Sequence, residues 1–237
     1  MQSTTHRPMT SAILRFLRQP AVQWCLALVG LFGLMQGFTR HSIWLGLWGL
    51  TNDLDGISPF FATDLPYTTF IMFFHMITGG LMLVLATLQV VGPLRRRYRR
   101  FHRWSGRVTV GLGVVTATGA LIYVARHGTT GGAFMNASST LYGVMMLVAA
   151  VQTLRTGQRR AWLDHRRWGM RLTVLALASW LYRLHYTIWH AVFGDLWVTP
   201  DMRGPFDVFQ AWGFFLGYAA MLEIWFLWEK HRSRRAR

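Results

Sequence analysis

The sequence is poor in cysteine, lysine and acidic residues. Its single cysteine, Cys25, excludes a disulfide within the chain and a cluster of thiolate metal ligands. Lysine occurs once, at Lys230, and the 9 Asp and Glu residues are outnumbered by 25 Lys and Arg residues. The sequence contains no phosphate-binding loop, nucleophile triad or HExxH zinc motif, so the common hydrolase and nucleotide-binding classes have no support.

Charge as a whole is also scarce, and apolar residues replace it. Charged residues make up 14% of the chain, against roughly 25% in soluble domains, whereas 52% of the residues are hydrophobic. Runs of about 20 apolar residues, the length that crosses a bilayer, are expected at 21–38, 67–92, 105–125, 136–155, 168–190 and 208–228. The predicted fold class is all-α, a polytopic transmembrane helix bundle with about six spans. The segment 42–50 is too short to span, and we expect it in the outer interface.

The basic residues predict the orientation of the chain. Alternating spans place both termini and the connections 93–104 and 156–167 on one side, together with 21 of the 25 Lys and Arg residues. By the positive-inside rule this side is cytoplasmic. The basic residues behind the net charge of +16 are then expected to contact anionic lipid headgroups at the inner face, and nucleic acid is not expected as a partner. We interpret 1–237 as one integral membrane domain with cytoplasmic tails at 1–20 and 229–237 and a retained first span.

A histidine–arginine motif occurs twice, each time at the cytoplasmic start of a span. It reads HRWSGR at 102–107 and HRRWGMR at 165–171. Paired imidazoles from facing helices can ligate haem iron, and arginines can neutralise its propionates. Alternatively, the motif anchors helix ends to lipid phosphates. The haem interpretation makes His102 and His165 ligands, and both interpretations make an anion-binding collar of Arg103, Arg107, Arg166 and Arg171.

His75, Gln89, Arg183 and His185 fall inside predicted spans, where such groups are costly and usually functional. His75 and His185 lie at similar depth, about 25 Å from the inner helix ends, as an outer pair of haem ligands requires. At about 100° per residue, however, His185 points away from the face that carries His165 and Arg183, so His190 is an alternative partner for His75. Arg183 requires an anionic ligand, or it snorkels to the outer interface.

Two further residues of the second span are expected to act in packing. Gly79 lies one turn from His75 on the same face, where a missing side chain admits either a neighbouring helix or a flat macrocycle. Gln89 falls near the same stripe, at the depth of His102 and His165, and is predicted to form a hydrogen bond between helices.

These motifs together resemble a family of bacterial multi-pass membrane proteins, domain of unknown function 2306. The resemblance rests on His75-x-x-x-Gly79, Gln89, the motif at 102–107, His-Arg-Arg-Trp at 165–168 and Tyr182-Arg183, and it covers about 67–185. It implies the bacterial cytoplasmic membrane as location and a four-helix core at 67–190. By analogy, such a core with histidines near both ends is similar to two-haem proteins of the cytochrome b561 type.

The leading hypothesis is a b-type-haem membrane protein that carries electrons across the membrane or to and from quinone or another redox partner. His102 and His165 would ligate an inner haem, and His75 with His185 or His190 an outer one. Beyond haem iron the sequence assigns no metal, although imidazole also suits copper, zinc and non-haem iron. The first alternative is a non-redox protein that binds or transports an anionic lipid or isoprenoid phosphate through the collar and Arg183. The second is an accessory subunit of a membrane complex. Enzymatic activity is not expected, unless the chain is a cytochrome or a quinone-linked oxidoreductase subunit.

Overall fold

The computed structural model describes residues 20–52 and 66–235 and is helical in these ranges apart from short connections. Within them it has no strand. The predicted tail at 1–20, except for Pro20, and the last two residues of the predicted tail at 229–237 lie outside the described residues. The helices are α1 (Pro20–Thr51), α2 (Pro66–Gln89), α3 (Gly92–Arg97), α4 (Arg99–Arg126), α5 (Gly132–Gln158), α6 (Trp162–Phe193) and α7 (Pro205–Arg235).

Proline and glycine set several of these helix ends. Pro66 and Pro205 are the first residues of α2 and α7, where a missing N–H costs nothing because the first turn has no backbone acceptor for it. Helix α6 ends before Gly194, which has φ 61°, a conformation that glycine adopts without a Cβ clash.

The chain divides into two units, Met1–Phe38 and Thr39–Arg237. In the first unit, residues 20–38 are the described part, and they are helical. In the second unit, residues 39–51 complete helix α1. Residues 42–50, which we expected as a separate interfacial segment, therefore belong to a longer helix. Leu45 and Trp48 pack against the fully buried Phe73 of α2.

Four helices of the second unit form a closed bundle. Helix α2 packs on α4, α4 on α5, α5 on α6, and α6 again on α2, while α7 covers α6 and α5. Gly113 of α4 lies where the other three meet, since a Cβ there would approach Met82 of α2, Ala150 of α5 and Leu172 of α6 at 3.2–3.6 Å. Helices α4 and α6 are therefore diagonal partners, as are α2 and α5.

The surface of the bundle is apolar. Large side chains such as Phe209, Ile224 and Leu227 are 65–69% exposed, which suits a lipid environment. Among the described residues, four helices have the length and composition of membrane spans: α2, α4, α5 and α7. The expected polytopic helical bundle is confirmed at this level. Six spans, which would add parts of α1 and α6, stay a prediction.

Candidate functional site

The inner histidines come together at one end of the bundle. We call it the inner end, the end formed by the starts of α4 and α6 and the last turns of α2 and α5. His102 and His165 occupy the first turns of two diagonal helices. They lie within electrostatic reach of one another, and the exposed Arg95 of α3 also acts on His102. The sequence motifs gave no indication of Arg95.

His165 is held by the neighbouring helix. Its Nδ1–H donates to the backbone carbonyl of Thr153 on α5 at 2.9 Å. Gly157 makes room for the ring, because a Cβ there would lie 3.1 Å from His165 Nδ1. A neutral imidazole whose Nδ1 carries the proton has its lone pair on Nε2. His165 Nε2 is therefore a potential ligand atom.

His102 meets Gln89 of α2. The Gln89 amide lies 2.8 Å from His102 Nδ1 and 2.7 Å from the hydroxyl of Ser105, which is fully buried. The Ser105 hydroxyl in turn donates to the carbonyl of Phe101 at 2.6 Å. Gln89 thus links α2 to α4, as the sequence suggested, and it also contacts a candidate ligand.

His75 is held in the same way as His165, but nearer the opposite end. Its Nδ1–H donates to the carbonyl of Thr116 on α4 at 2.8 Å. The same two helices are joined by the Thr116–Thr78 hydroxyl bond at 2.9 Å. Gly79 faces Thr116 and Gly119 faces His75, each at ordinary contact distance for an added Cβ of 3.5 Å. Gly79 therefore lies in a close helix–helix contact.

The other two candidate ligands face different partners. His185 points to α7, where Gln210 donates to its Nδ1 at 2.8 Å and its Nε2 lies 2.8 Å from the Tyr218 hydroxyl. Both of its ring nitrogens are hydrogen-bonded, so ligation by His185 would require one of these bonds to break. His190 lies 3.1 Å from Asp195 through Nδ1. His185 therefore lacks the free Nε2 of His165, whereas the contact of His190 uses Nδ1 and leaves its Nε2 available.

The five candidate arginines are in three different environments. Arg166 contacts Glu229 at 2.9 Å, and Arg171 forms a two-point contact with Glu223 at 2.6 and 2.8 Å. These two pairs join α6 to α7. Arg103 and Arg107 are exposed on α4, and Arg183 is exposed on α6 within electrostatic reach of His75. The two motifs therefore do not form one uniform collar.

A comparison with known protein families identifies the family of this chain. A family model described as "Predicted membrane protein (DUF2306)" matches residues 72–202. The chain belongs to this family. The match confirms the resemblance seen in the motifs, and it runs from within α2, ahead of His75, to beyond the end of α6. Neither a curated protein nor a solved structure matches the chain.

A buried polar network that the sequence did not suggest joins the end of the matched region to α7, which lies beyond it. The carboxylate of Asp207 on α7 is fully buried. It accepts hydrogen bonds from the Tyr186 hydroxyl at 2.6 Å and from the backbone N–H groups of Thr199 and Gly204 at 2.9 and 3.0 Å. Asp207 therefore ties the loop 194–204 to α6 and α7.

Proposed function

We propose that this chain is a b-type cytochrome of the membrane, an electron carrier with one haem between His102 and His165 at the inner end of the bundle. The observation that carries the proposal is the hydrogen bond from His165 Nδ1–H to the Thr153 carbonyl. Histidines that ligate metals almost always donate their other ring N–H to a carbonyl or carboxylate, which fixes the tautomer and the ring orientation.

The helix arrangement supports the same pair. Ligands on diagonal helices of a four-helix bundle face each other across its interior, which is where such bundles hold cofactors. His102 and His165 satisfy this condition and begin their helices at the same end. Each also has a second contact near its ring, Gln89 for His102 and Thr153 for His165.

The surrounding residues suit a haem with its edge toward the inner interface. A bound haem supplies one-electron transfer through its iron. Arg95, which lies within electrostatic reach of His102, and the exposed Arg103 can neutralise carboxylates at the interface. On the other side, the buried Met82 and Leu172 exclude water, and a dry surrounding is one of the factors that set the potential of a haem.

A single haem is better supported than two. The diagonal partner of α2 is α5, and Gly132–Gln158 contains no histidine that could face His75. His185 is on α6, next to α2, and both its nitrogens are occupied by Gln210 and Tyr218. We therefore expect His75 to act through its bond to Thr116, as a contact between α2 and α4.

The test is a spectrum of the detergent-purified protein, oxidised and then reduced, with a pyridine haemochrome assay for stoichiometry. We expect about one haem per chain and a Soret difference that is lost in His102→Ala and in His165→Ala. The control is His127→Ala, an exposed histidine beside Tyr123 at the other end, which should leave the spectrum unchanged. A folded, colourless protein that takes up no added haemin contradicts the proposal.

Binding of an anionic lipid or isoprenoid phosphate remains the alternative. Arginine variants, compared with the histidine variants above, distinguish it from haem binding. It requires the collar arginines, but Arg166 and Arg171 pair with Glu229 and Glu223, so an anion would have to displace a carboxylate. This alternative predicts that Arg103→Ala and Arg107→Ala release bound phospholipid while the histidine variants retain it.

A further inference from the structure

The amide of Gln89 sits among four groups of one turn of α4. In one orientation its nitrogen lies 2.8 Å from His102 Nδ1 and 3.2 Å from the His102 carbonyl, and its oxygen lies 2.7 Å from Ser105 Oγ and 3.3 Å from the Gly106 N–H. The amide nitrogen then donates to His102 Nδ1. Because a neutral imidazole carries one proton, that proton must be on Nε2.

The opposite orientation reverses the roles of both partners. The Gln89 nitrogen donates to Ser105 Oγ at 2.7 Å, and the Ser105 hydroxyl donates to the Phe101 carbonyl at 2.6 Å. The Gln89 oxygen then occupies the position 2.8 Å from His102 Nδ1, where it can only accept. His102 must now carry its proton on Nδ1, and Nε2 is free.

The first orientation leaves one mismatch and the second leaves two, so the first is favoured. In the first, the single proton of the Ser105 hydroxyl faces two acceptors, the Gln89 oxygen and the Phe101 carbonyl. In the second, the Gln89 oxygen faces the His102 carbonyl oxygen at 3.2 Å and the Gln89 nitrogen faces the Gly106 N–H at 3.3 Å. The second orientation is therefore a minor state, and a ligand that binds it better can populate it.

We propose that Gln89 is a positioning residue whose amide orientation decides which ring nitrogen of His102 carries the proton. The consequence for haem rests on the proposed function: iron can bind Nε2 only in the second orientation. In that state His102 matches His165, each donating Nδ1–H to an oxygen and offering a free Nε2. Haem affinity is then reduced in proportion to the time the amide spends in the first orientation.

Two variants of Gln89 separate the states. Gln89→Glu presents only acceptors to His102 and should hold the proton on Nδ1. Gln89→Met has similar length and makes neither bond. The matched control is Gln158→Glu, which introduces the same charge at the exposed end of α5.

The experiment measures the ring ¹⁵N shifts of His102 in histidine-labelled protein in detergent micelles, assigned by the signal that disappears in His102→Ala. We expect Nδ1 to be mainly unprotonated in the wild-type protein and in Gln158→Glu, and protonated in Gln89→Glu. The same tautomer in the wild-type protein and in Gln89→Glu overturns the inference.

A haemin titration of the same proteins provides the second readout. The wild-type amide is expected mainly in the orientation that leaves the proton on Nε2, whereas Gln89→Met imposes neither tautomer. Gln89→Met should therefore bind haemin no more weakly than the wild-type protein, and Gln89→Glu several-fold more tightly. If no protein binds haemin while the tautomer still follows residue 89, the proposed function fails and the role of Gln89 stands. If haemin binds and the tautomer does not change, the role of Gln89 fails alone.

Discussion

Removing the carboxylate of Asp207 should release the loop 194–204 from the bundle. Asp207→Ala removes the acceptor of the Tyr186 hydroxyl and of the Thr199 N–H, while the Gly204 N–H keeps its bond to the Thr199 hydroxyl. A buried donor left without a partner costs about 1–3 kcal/mol. Water can reach part of this site once the side chain is gone, so we take about 3 kcal/mol as the net loss.

Limited trypsin digestion measures this effect locally, because Arg203 lies inside the loop and is exposed. When a segment opens and closes quickly, its cleavage rate follows the population of the open state. A loss of about 3 kcal/mol corresponds to roughly a 100-fold rise in cleavage after Arg203, since each 1.4 kcal/mol is a factor of ten. Asp207→Asn should rise only about tenfold, because its amide oxygen still accepts from the two N–H groups.

The matched control is Asp201→Ala in the same loop. Asp201 is exposed and contacts Arg203 at 3.7 Å, and surface pairs of this kind contribute little. We therefore expect its cleavage rate to equal that of the wild-type protein. If Asp207→Ala is cleaved no faster than Asp201→Ala, the buried carboxylate does not hold the loop and the reasoning fails.

Two further predictions concern the inner end and the contact between α6 and α7. Gly157→Ala should displace the His165 ring from the Thr153 carbonyl and reduce haemin uptake, measured by titration, at least several-fold. The control is Gly111→Ala, which has open space around it and should bind haemin as the wild-type protein does. Equal uptake by both variants contradicts the packing argument. A double-mutant cycle of Arg171→Gln and Glu223→Gln should give a coupling free energy of about 1 kcal/mol in thermal unfolding, because the pair is bidentate but partly exposed. Strictly additive losses of stability would show that the pair does not stabilise the contact between α6 and α7.

The sequence predicted the features that depend on local pattern. Apolar runs of about 20 residues predicted the membrane helices, because length and composition alone decide whether a helix can cross a bilayer. The 100° rotation per residue indicated that His185 faces away from His165, and His185 indeed contacts α7. The stripe that carries His75 and Gln89 faces α4 through both residues.

Features that depend on contacts between distant residues were not predicted. Arg166 and Arg171 looked like free cations because their partners, Glu229 and Glu223, are more than fifty positions away on α7. Asp207 was one acidic residue among several, and nothing local distinguishes a buried carboxylate from an exposed one. Pro205 indicates that Asp207 lies in the first turn of a helix, where an acidic side chain is favourable. Nothing in the sequence indicates that Tyr186 contacts Asp207.

The hydrogen bonds of the histidines indicate where chemistry is expected. On the α6–α7 side, His185 is bonded at both ring nitrogens and the Asp207 carboxylate accepts from three donors, an arrangement that fixes structure and leaves no atom ready for a ligand. At the inner end, His165 uses one nitrogen to fix its ring, and His102 contacts an amide that can serve either tautomer. Buried polar groups that are fully hydrogen-bonded rigidify a fold, whereas an oriented imidazole with a free nitrogen retains the capacity to bind a metal. A ligand should therefore be sought first between His102 and His165.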